Sequence, residues 1–361
     1  MEQVIEQKQS IISVWNKRPL VISGPCSAET EEQLLATAQG LAATGKVDML
    51  RAGIWKPRTR PGQFEGVGVK GLPWLAQAKK LTGLPTTVEV ATAKQVEDAL
   101  SFDVDVLWIG ARTTVNPFSV QEVADALKGV DVPVLIKNPI NPDLELWTGA
   151  VERVAKAGIK NIGLIHRGFS SYGNTEYRNA PMWHLAIEMK RRNPDMMLIC
   201  DPSHISGRRD ILLEVSQKSI DLDYDGVMIE SHIDPDNAWS DAKQQITPEV
   251  LGQLVSSIIW RKEDIDNDDL HTAMEKMRQQ INQLDDELMQ ILSARMKVAD
   301  KIGQYKKDNN ITILQTNRWN AILERAFTKG EKLGLSKEFI TKYFDAVHME
   351  SINHQNKIMN S

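Results

Sequence analysis

Over its first 260 residues the chain repeats one pattern, a short apolar run followed by a turn and a stretch with helical spacing of apolar side chains. The runs fall at 20–24, 49–54, 85–90, 106–110, 134–136, 162–165, 197–200 and 226–229. Each has the length and composition of a buried strand. Helical stretches lie between them, among them 29–43, 119–127, 144–157 with Gly158 as its stop, 182–192 and 211–217. Eight strand–helix units in about 250 residues predict a closed (β/α)8 TIM barrel. An open doubly wound sheet can use the same alternation. It normally follows its first strand with a glycine-rich turn, and GPCS after residue 23 lacks that form.

A barrel builds its site from loops at the C-terminal ends of its strands, and here those ends carry chemistry. The first run ends in GPCS with Cys26, the second in RAGIWKPRT with Arg51, Lys56, Pro57, Arg58 and Thr59, and the third carries Glu89. IGAR brings Arg112, IKNP Lys137, IHRGF His166 and Arg167, CDPSH His204 and IESH Glu230. Two groups emerge. Cys26, His204, Glu230 and, just beyond, Asp241 are one soft, one borderline and two hard donors, a set suited to Mn, Fe, Co or Zn rather than Mg or Ca. A lone cysteine or histidine is usually structural. Closure, however, makes the first, seventh and eighth strands neighbours, so these four donors converge on one arc of the rim.

The other arc carries Arg51, Lys56, Arg58, Arg112, Lys137 and Arg167. Six cations in one bowl repel one another unless anions neutralise them. A solvated basic loop would account for residues 51–58 alone, but not for the recurrence at successive strand ends. The net charge of -5 and pI near 5.9 argue against a general nucleic-acid binder, so the anionic partner is small. Beside a Lewis-acid metal, the cations fit activation of a carbonyl in one phosphorylated substrate for attack by another.

An acidic connector at 263–269 separates residues 1–262 from a different pattern over 270–361. One helix is expected from the connector to residue 307, with Asn309 and Asn310 ending it. Met274, Met277, Ile281, Leu284, Leu288, Ile291, Val298, Ile302 and Tyr305 step by three and four along it, with Arg295 in the gap. An arginine in an apolar seam is costly unless paired, so it meets either a carboxylate of the protein or one of a ligand. Such a helix spans roughly 55–60 Å at 1.5 Å per residue. The two shorter helices expected at 316–329 and 336–359 cannot cover it, so the seam predicts an intertwined homodimer. Two cysteines, Cys26 and Cys200, give no disulfide framework, the N-terminus has no signal-peptide core, and no run is long enough to span a membrane. These features predict a soluble cytoplasmic protein with neither membrane nor nucleic-acid partners.

The motifs GPCS, RAG, KPRT, IGAR, IKNP, DPSH and ESHIDPDNAWSDAKQQI resemble those of 3-deoxy-D-arabino-heptulosonate 7-phosphate (DAHP) synthase over residues 18–261. That family is a metal-dependent (β/α)8 barrel that condenses phosphoenolpyruvate with erythrose 4-phosphate and releases phosphate by C–O cleavage. The resemblance implies phosphoenolpyruvate on Arg51, Lys56, Arg112, Lys137 and Arg167, and erythrose 4-phosphate on Lys56, Pro57, Arg58 and Thr59. It implies a divalent metal on Cys26, His204, Glu230 and Asp241, with Lys56 and Glu89 at the reacting carbons. The related 3-deoxy-D-manno-octulosonate 8-phosphate synthases carry KANR in place of KPRT. Arg60 and Gly62 depart from many relatives in the outer pocket, and too few residues precede the first run for the N-terminal regulatory domain that some carry.

Residues 270–358 resemble the all-helical chorismate mutases, so the whole fold is expected as the barrel followed by an all-α domain. The resemblance places Arg278, Arg295, Lys306, Arg318, Ser351 and Gln355 on ligand-binding positions, with Arg278 reaching the partner subunit's site. Arg295 and Lys306 lie eleven residues apart, about three turns, and share a face. Rearrangement of chorismate to prephenate is unimolecular; cations clamp the carboxylates while Lys306 and Gln355 donate to the ether oxygen. Gln315 and Trp319 stand where relatives often place acidic groups. The whole implies a bifunctional enzyme with feedback of prephenate or chorismate on the synthase. Two alternatives stay open: an octulosonate-type barrel, and a non-catalytic regulatory or dimerisation role for the helical domain, with Arg295 in a structural ion pair.

Overall fold

The computed structural model describes residues 11–57, 62, 64–172, 176–261 and 268–360. The chain divides into two compact units, Met1–Glu263 and Asp264–Ser361. In the first, β1 (Leu20–Gly24), β2 (Met49–Arg51), β3 (Thr86–Val90), β4 (Val106–Ile109), β5 (Val134–Lys137), β6 (Ile162–His166), β7 (Met197–Cys200) and β8 (Gly226–Glu230) pair in sequence order. All pairings are parallel, and β8 returns to β1 over five residue pairs, closing the barrel. An open sheet is therefore excluded.

The apolar runs are continuous because both faces of each strand are buried. Alternation divides them into two cores. Val21, Leu50, Leu107, Ile136, Leu164, Leu198 and Val227 point outward into the layer under the helices. Ile22, Met49, Val106, Trp108, Leu135, Ile165, Ile199 and Met228 point inward and fill the barrel. Trp15 joins the inner core, and a Cβ on Gly163 would lie 2.7 Å from Leu135 Cδ2 and 3.3 Å from the indole, so only glycine leaves room there.

Among the described residues eight helices form the outer ring: α1 (Glu31–Ala43), α2 (Gly71–Thr82), α3 (Ala93–Ser101), α4 (Pro117–Ala126), α5 (Leu144–Lys156), α6 (Trp183–Arg192), α7 (Leu212–Asp221) and α8 (Pro248–Ser257). Single-turn helices at Ala111–Thr114 and Pro202–Ser206 precede α4 and α7. Side-chain caps set several starts: Thr30 accepts from the Gln33 N–H, Asn116 from Phe118 and Ser119, and Asp143 from Leu146. The second run is shorter as a strand than its composition suggests. β2 stops at Arg51, and Gly53 passes so close to the Cys26 carbonyl that a Cβ would lie 2.2 Å from its oxygen.

The second unit contains α9 (Asp268–Asp308), α10 (Thr316–Lys332) and α11 (Lys337–Asn360). Residues 262–267 of the acidic connector lie outside the described residues. At 41 residues α9 is about 60 Å long. It packs against α11, burying Met296, Ala299, Val347, Ser351 and Gln355. Towards its N-terminus the seam is uncovered: Met277, Ile281, Leu284 and Ile291 are each more than half exposed.

Candidate active sites

Strand alternation builds the first site. Arg51, Glu89, Lys137, Arg167, Asp201 and Glu230 each lie two residues beyond an inward-facing Met49, Thr87, Leu135, Ile165, Ile199 or Met228. The charged layer therefore sits directly on the apolar plug at the C-terminal mouth. Arg51 Nη1 donates to Glu230 Oε1 at 3.0 Å, and Lys137 Nζ to Asp201 Oδ2 at 2.7 Å. Both pairs are almost fully buried. Trp108 stands between them, its ring 5.0 Å from the Arg51 guanidinium and 5.8 Å from Lys137 Nζ, while Nε1 donates to Glu89 Oε2 at 3.2 Å. A Cβ at Gly110 would fall 1.9 Å from Glu89 Oε1, so this carboxylate occupies the space only glycine leaves.

Beside the ion pairs, Cys26 Sγ, a Glu230 oxygen and an Asp241 oxygen all lie within 4.8 Å of one another. His204 adjoins them, with Nε2 3.8 Å from Glu230 Oε1. Its Nδ1 lies 2.8 Å from Asp201 Oδ2; a carboxylate only accepts, so Nδ1 carries the proton and Nε2 keeps its lone pair. Burial lowers the pKa of His204, favouring the neutral ring a metal requires. Burial also pushes the Cys26 thiol up to about 12, with Glu230 adding to the effect, so a thiolate forms there only against added positive charge. Glu230 and Asp241 run the other way. Burial opposes their ionisation, but the Arg51 guanidinium holds Glu230 below the usual carboxylate range, as that of Arg178 holds Asp241. One soft donor, one imidazole lone pair and two ionised carboxylates fit a borderline divalent cation.

The cations are partly neutralised within the protein, unlike the uncompensated bowl the sequence suggests. Lys56 Nζ reaches Cys26 Sγ at 2.9 Å and the Cys26 carbonyl at 2.8 Å. Arg167 hydrogen bonds to the neutral Asn179 Oδ1 at 2.7 Å and the Gly168 carbonyl, and burial lowers its pKa to about 10. Arg112, on the turn Ala111–Thr114, is exposed and close enough to Arg167 to add to that lowering. Lys56, Pro57 and Glu89 line a cavity of about 270 Å³ together with Trp55, Glu65 and Gln95. Arg58, Thr59 and Arg60 lie outside the described residues. His166 faces away from the bowl. Its Nε2 donates to the Pro181 carbonyl at 2.7 Å, and its Nδ1 accepts from Tyr224 Oη at 2.8 Å.

The helical unit holds a second cavity of about 310 Å³ between α9, α10 and α11. Arg295, Lys306, Arg318, Ser351 and Gln355 all line it, with Gln315, Trp319 and His348. Arg295 Nη1 donates to Ser351 Oγ and, at 3.4 Å, to the Val347 carbonyl. No protein carboxylate pairs with Arg295 among the described residues, against the structural ion pair. Lys306 Nζ donates to the Ile313 carbonyl at 2.5 Å. Arg278 lies outside this cavity, exposed on α9 and paired with Glu275.

The DAHP synthetase I family model matches residues 2–266. The chain belongs to the DAHP synthetase I family. A second family model, chorismate mutase type II, matches residues 277–356. In that order the two domains make a bifunctional enzyme, DAHP synthase followed by chorismate mutase. The phospho-2-dehydro-3-deoxyheptonate aldolase of Thermotoga maritima is 30% identical over 247 residues, covering 68% of this chain and 71% of that one. Its crystal structure superposes with a TM-score of 0.60 at 30% identity, over 67% of this chain and 68% of that one. A 2-dehydro-3-deoxyphosphooctonate aldolase from Geobacter sp. (strain M21) is 25% identical over 271 residues, 68% of this chain and 93% of its own.

Within the DAHP synthase barrel, two residues not singled out from sequence prove central. Asp201 joins Lys137 to His204, and it was legible as the residue two beyond the inward Ile199. Arg178, on the β6–α6 loop, binds Asp241 Oδ1 at 2.9 Å and Gln244 Oε1 at 2.5 Å. Nothing local marks it, because only the fold brings it to Asp241, 63 residues away.

Proposed function

We propose that the barrel mouth binds phosphoenolpyruvate through Arg51, Lys56, Arg112, Lys137 and Arg167, with erythrose 4-phosphate held at Lys56, Pro57, Arg58 and Thr59. Cys26, His204, Glu230 and Asp241 would hold a divalent ion of the Mn, Fe, Co or Zn group. Such an ion would polarise the aldehyde carbonyl of the four-carbon phosphate. The observation that carries the reading is the convergence of Cys26, Glu230 and Asp241 donors within 4.8 Å, beside the buried Arg51 and Lys137 pairs. Arg51 and Lys137 are fixed by Glu230 and Asp201 and both face Trp108, so their charges are positioned before an anion arrives. The neutral partners of Arg167 leave its charge for a carboxylate or phosphate. Purified protein given phosphoenolpyruvate should consume it with erythrose 4-phosphate and not with arabinose 5-phosphate. Preference for the pentose phosphate would instead make this barrel an octulosonate synthase.

In the helical cavity, Arg295 and Arg318 would clamp the carboxylates of chorismate while Lys306 and Gln355 donate to the breaking ether. Arg278 would complete the cavity of a second copy, in a homodimer formed over the exposed Met277, Ile281 and Leu284 stripe. A ligand bridging two copies would alter how the barrels are presented, so prephenate or chorismate is proposed to inhibit the synthase. Synthase rate against prephenate should fall in the native enzyme and stay flat in Arg295→Ala; equal inhibition of both would exclude this route.

A further inference from the structure

His348 belongs to none of the motif positions above, yet it forms part of the helical cavity wall. Its ring stacks on Trp319 with centroids 4.1 Å apart and planes 16° from parallel. Stacking fixes the imidazole plane, leaving little freedom to seek another partner. Its Nε2 is buried and has no hydrogen-bond partner among the described residues. An orphaned buried nitrogen is destabilising, and in a ligand cavity the ligand is what completes it.

The charge around it says what kind of group that is. The cavity wall already has three cations, Arg295, Lys306 and Arg318. Burial, with Arg295 second, lowers the pKa of His348, whereas Asp345 pulls it back up. A neutral imidazole among cations adds nothing to a carboxylate clamp; what it offers is one directional hydrogen bond to an uncharged group. The other neutral groups on α11 are differently placed. Ser351 Oγ accepts from Arg295 and donates to the Val347 carbonyl at 2.8 Å, so it is already engaged. Gln355, whose Oε1 is the second orphaned atom of the wall, lies seven residues beyond His348. On one helix face that is about 10 Å at 1.5 Å per residue, so His348 and Gln355 meet different parts of one small ligand.

We propose that His348, held by Trp319, is a specificity-determining residue that hydrogen-bonds the ring hydroxyl of the dicarboxylate ligand. The inference rests on the mutase reading, since chorismate carries one ring hydroxyl besides its two carboxylates and its ether. Trp319 lines the same cavity and positions His348 through the stack.

The test compares chorismate with its analogue lacking the ring hydroxyl, in native enzyme, His348→Phe and His348→Gln. Phenylalanine keeps the stack and removes the nitrogens, whereas glutamine keeps an amide within reach. Mutase kcat/KM for chorismate should fall about tenfold in His348→Phe, while that for the analogue stays within about twofold of native, the two changes thus coupling. His348→Gln should recover part of the discrimination. Equal losses for both compounds in His348→Phe would overturn the proposal and leave His348 a packing residue. Calorimetric titration of the same compounds separates the two layers. If the native enzyme turns over neither compound, the mutase reading falls, and loss of hydroxyl-dependent affinity in His348→Phe still decides the role of His348.

Discussion

Asp201 offers the sharpest test of how the barrel mouth is built. It is fully buried, pairs with Lys137 Nζ at 2.7 Å, accepts from His204 Nδ1 and caps the His204 backbone N–H at 3.1 Å. Burial alone would favour the neutral acid, but His204 and Lys137 hold its carboxyl well below the usual range. Asp201→Asn preserves shape and the backbone cap while removing the charge. The Lys137 ammonium is then buried without a counter-charge, and breaking such a pair from one side costs about 3–5 kcal/mol. Adding Lys137→Met removes the stranded charge, so the double variant should return to within about 1 kcal/mol of native. Equilibrium unfolding in guanidinium, followed by tryptophan fluorescence, reads the barrel, because every tryptophan except Trp319 lies in the first unit. Synthase activity should be lost in both variants, since His204 and Lys137 lose the carboxylate charge that holds them and the double variant also lacks the Lys137 ammonium. Mutase activity should be unchanged. A single variant within about 1 kcal/mol of native, or a double variant as unstable as the single, would refute the ion-pair argument.

Three further outcomes are expected. Cys26→Ala should abolish synthase turnover, as should a strong chelator on the native enzyme, with mutase activity surviving both; synthase turnover persisting in chelator would dismiss the metal assignment. Arg295→Ala should lower mutase kcat/KM at least tenfold, the loss of one charge-assisted contact of roughly 1.5–3 kcal/mol, and unchanged kinetics would count against the clamp. Burial depresses the His166 pKa from 6.5 to about 4, so the unfolded chain takes up a proton over a range where the native protein does not. Stability from this group is complete above pH 6.5 and is lost as pH falls towards 4, by about 3 kcal/mol in all. Unfolding free energies measured across that window should show a slope that His166→Gln reduces, and an identical slope in the variant would contradict it.

The alternation of apolar runs and helical stretches, with no glycine-rich turn after the first run, was enough to expect the barrel, and the three-and-four spacing after residue 270 to expect the long helix, because strand and helix periods are local and eight repeats leave few topologies. It also placed Arg51, Glu89, Lys137, Arg167 and Glu230, since a strand end and its parity decide which way a side chain points. His166 shows where that reasoning stops: it shares a motif with Arg167, yet one step of parity turns it outward to Pro181 and Tyr224. The closed barrel brings the expected Cys26 and Asp241 together across 215 residues, and it alone decided that Arg178 holds that aspartate and that Arg51 and Lys137 already have carboxylate partners. In the helical unit the spacing of Arg295 and Lys306 was visible in the chain, whereas the stack of Trp319 on His348 joins two helices and has no local signature. Side-chain direction follows from backbone period, but which charge meets which partner depends on distances that closure and packing alone create.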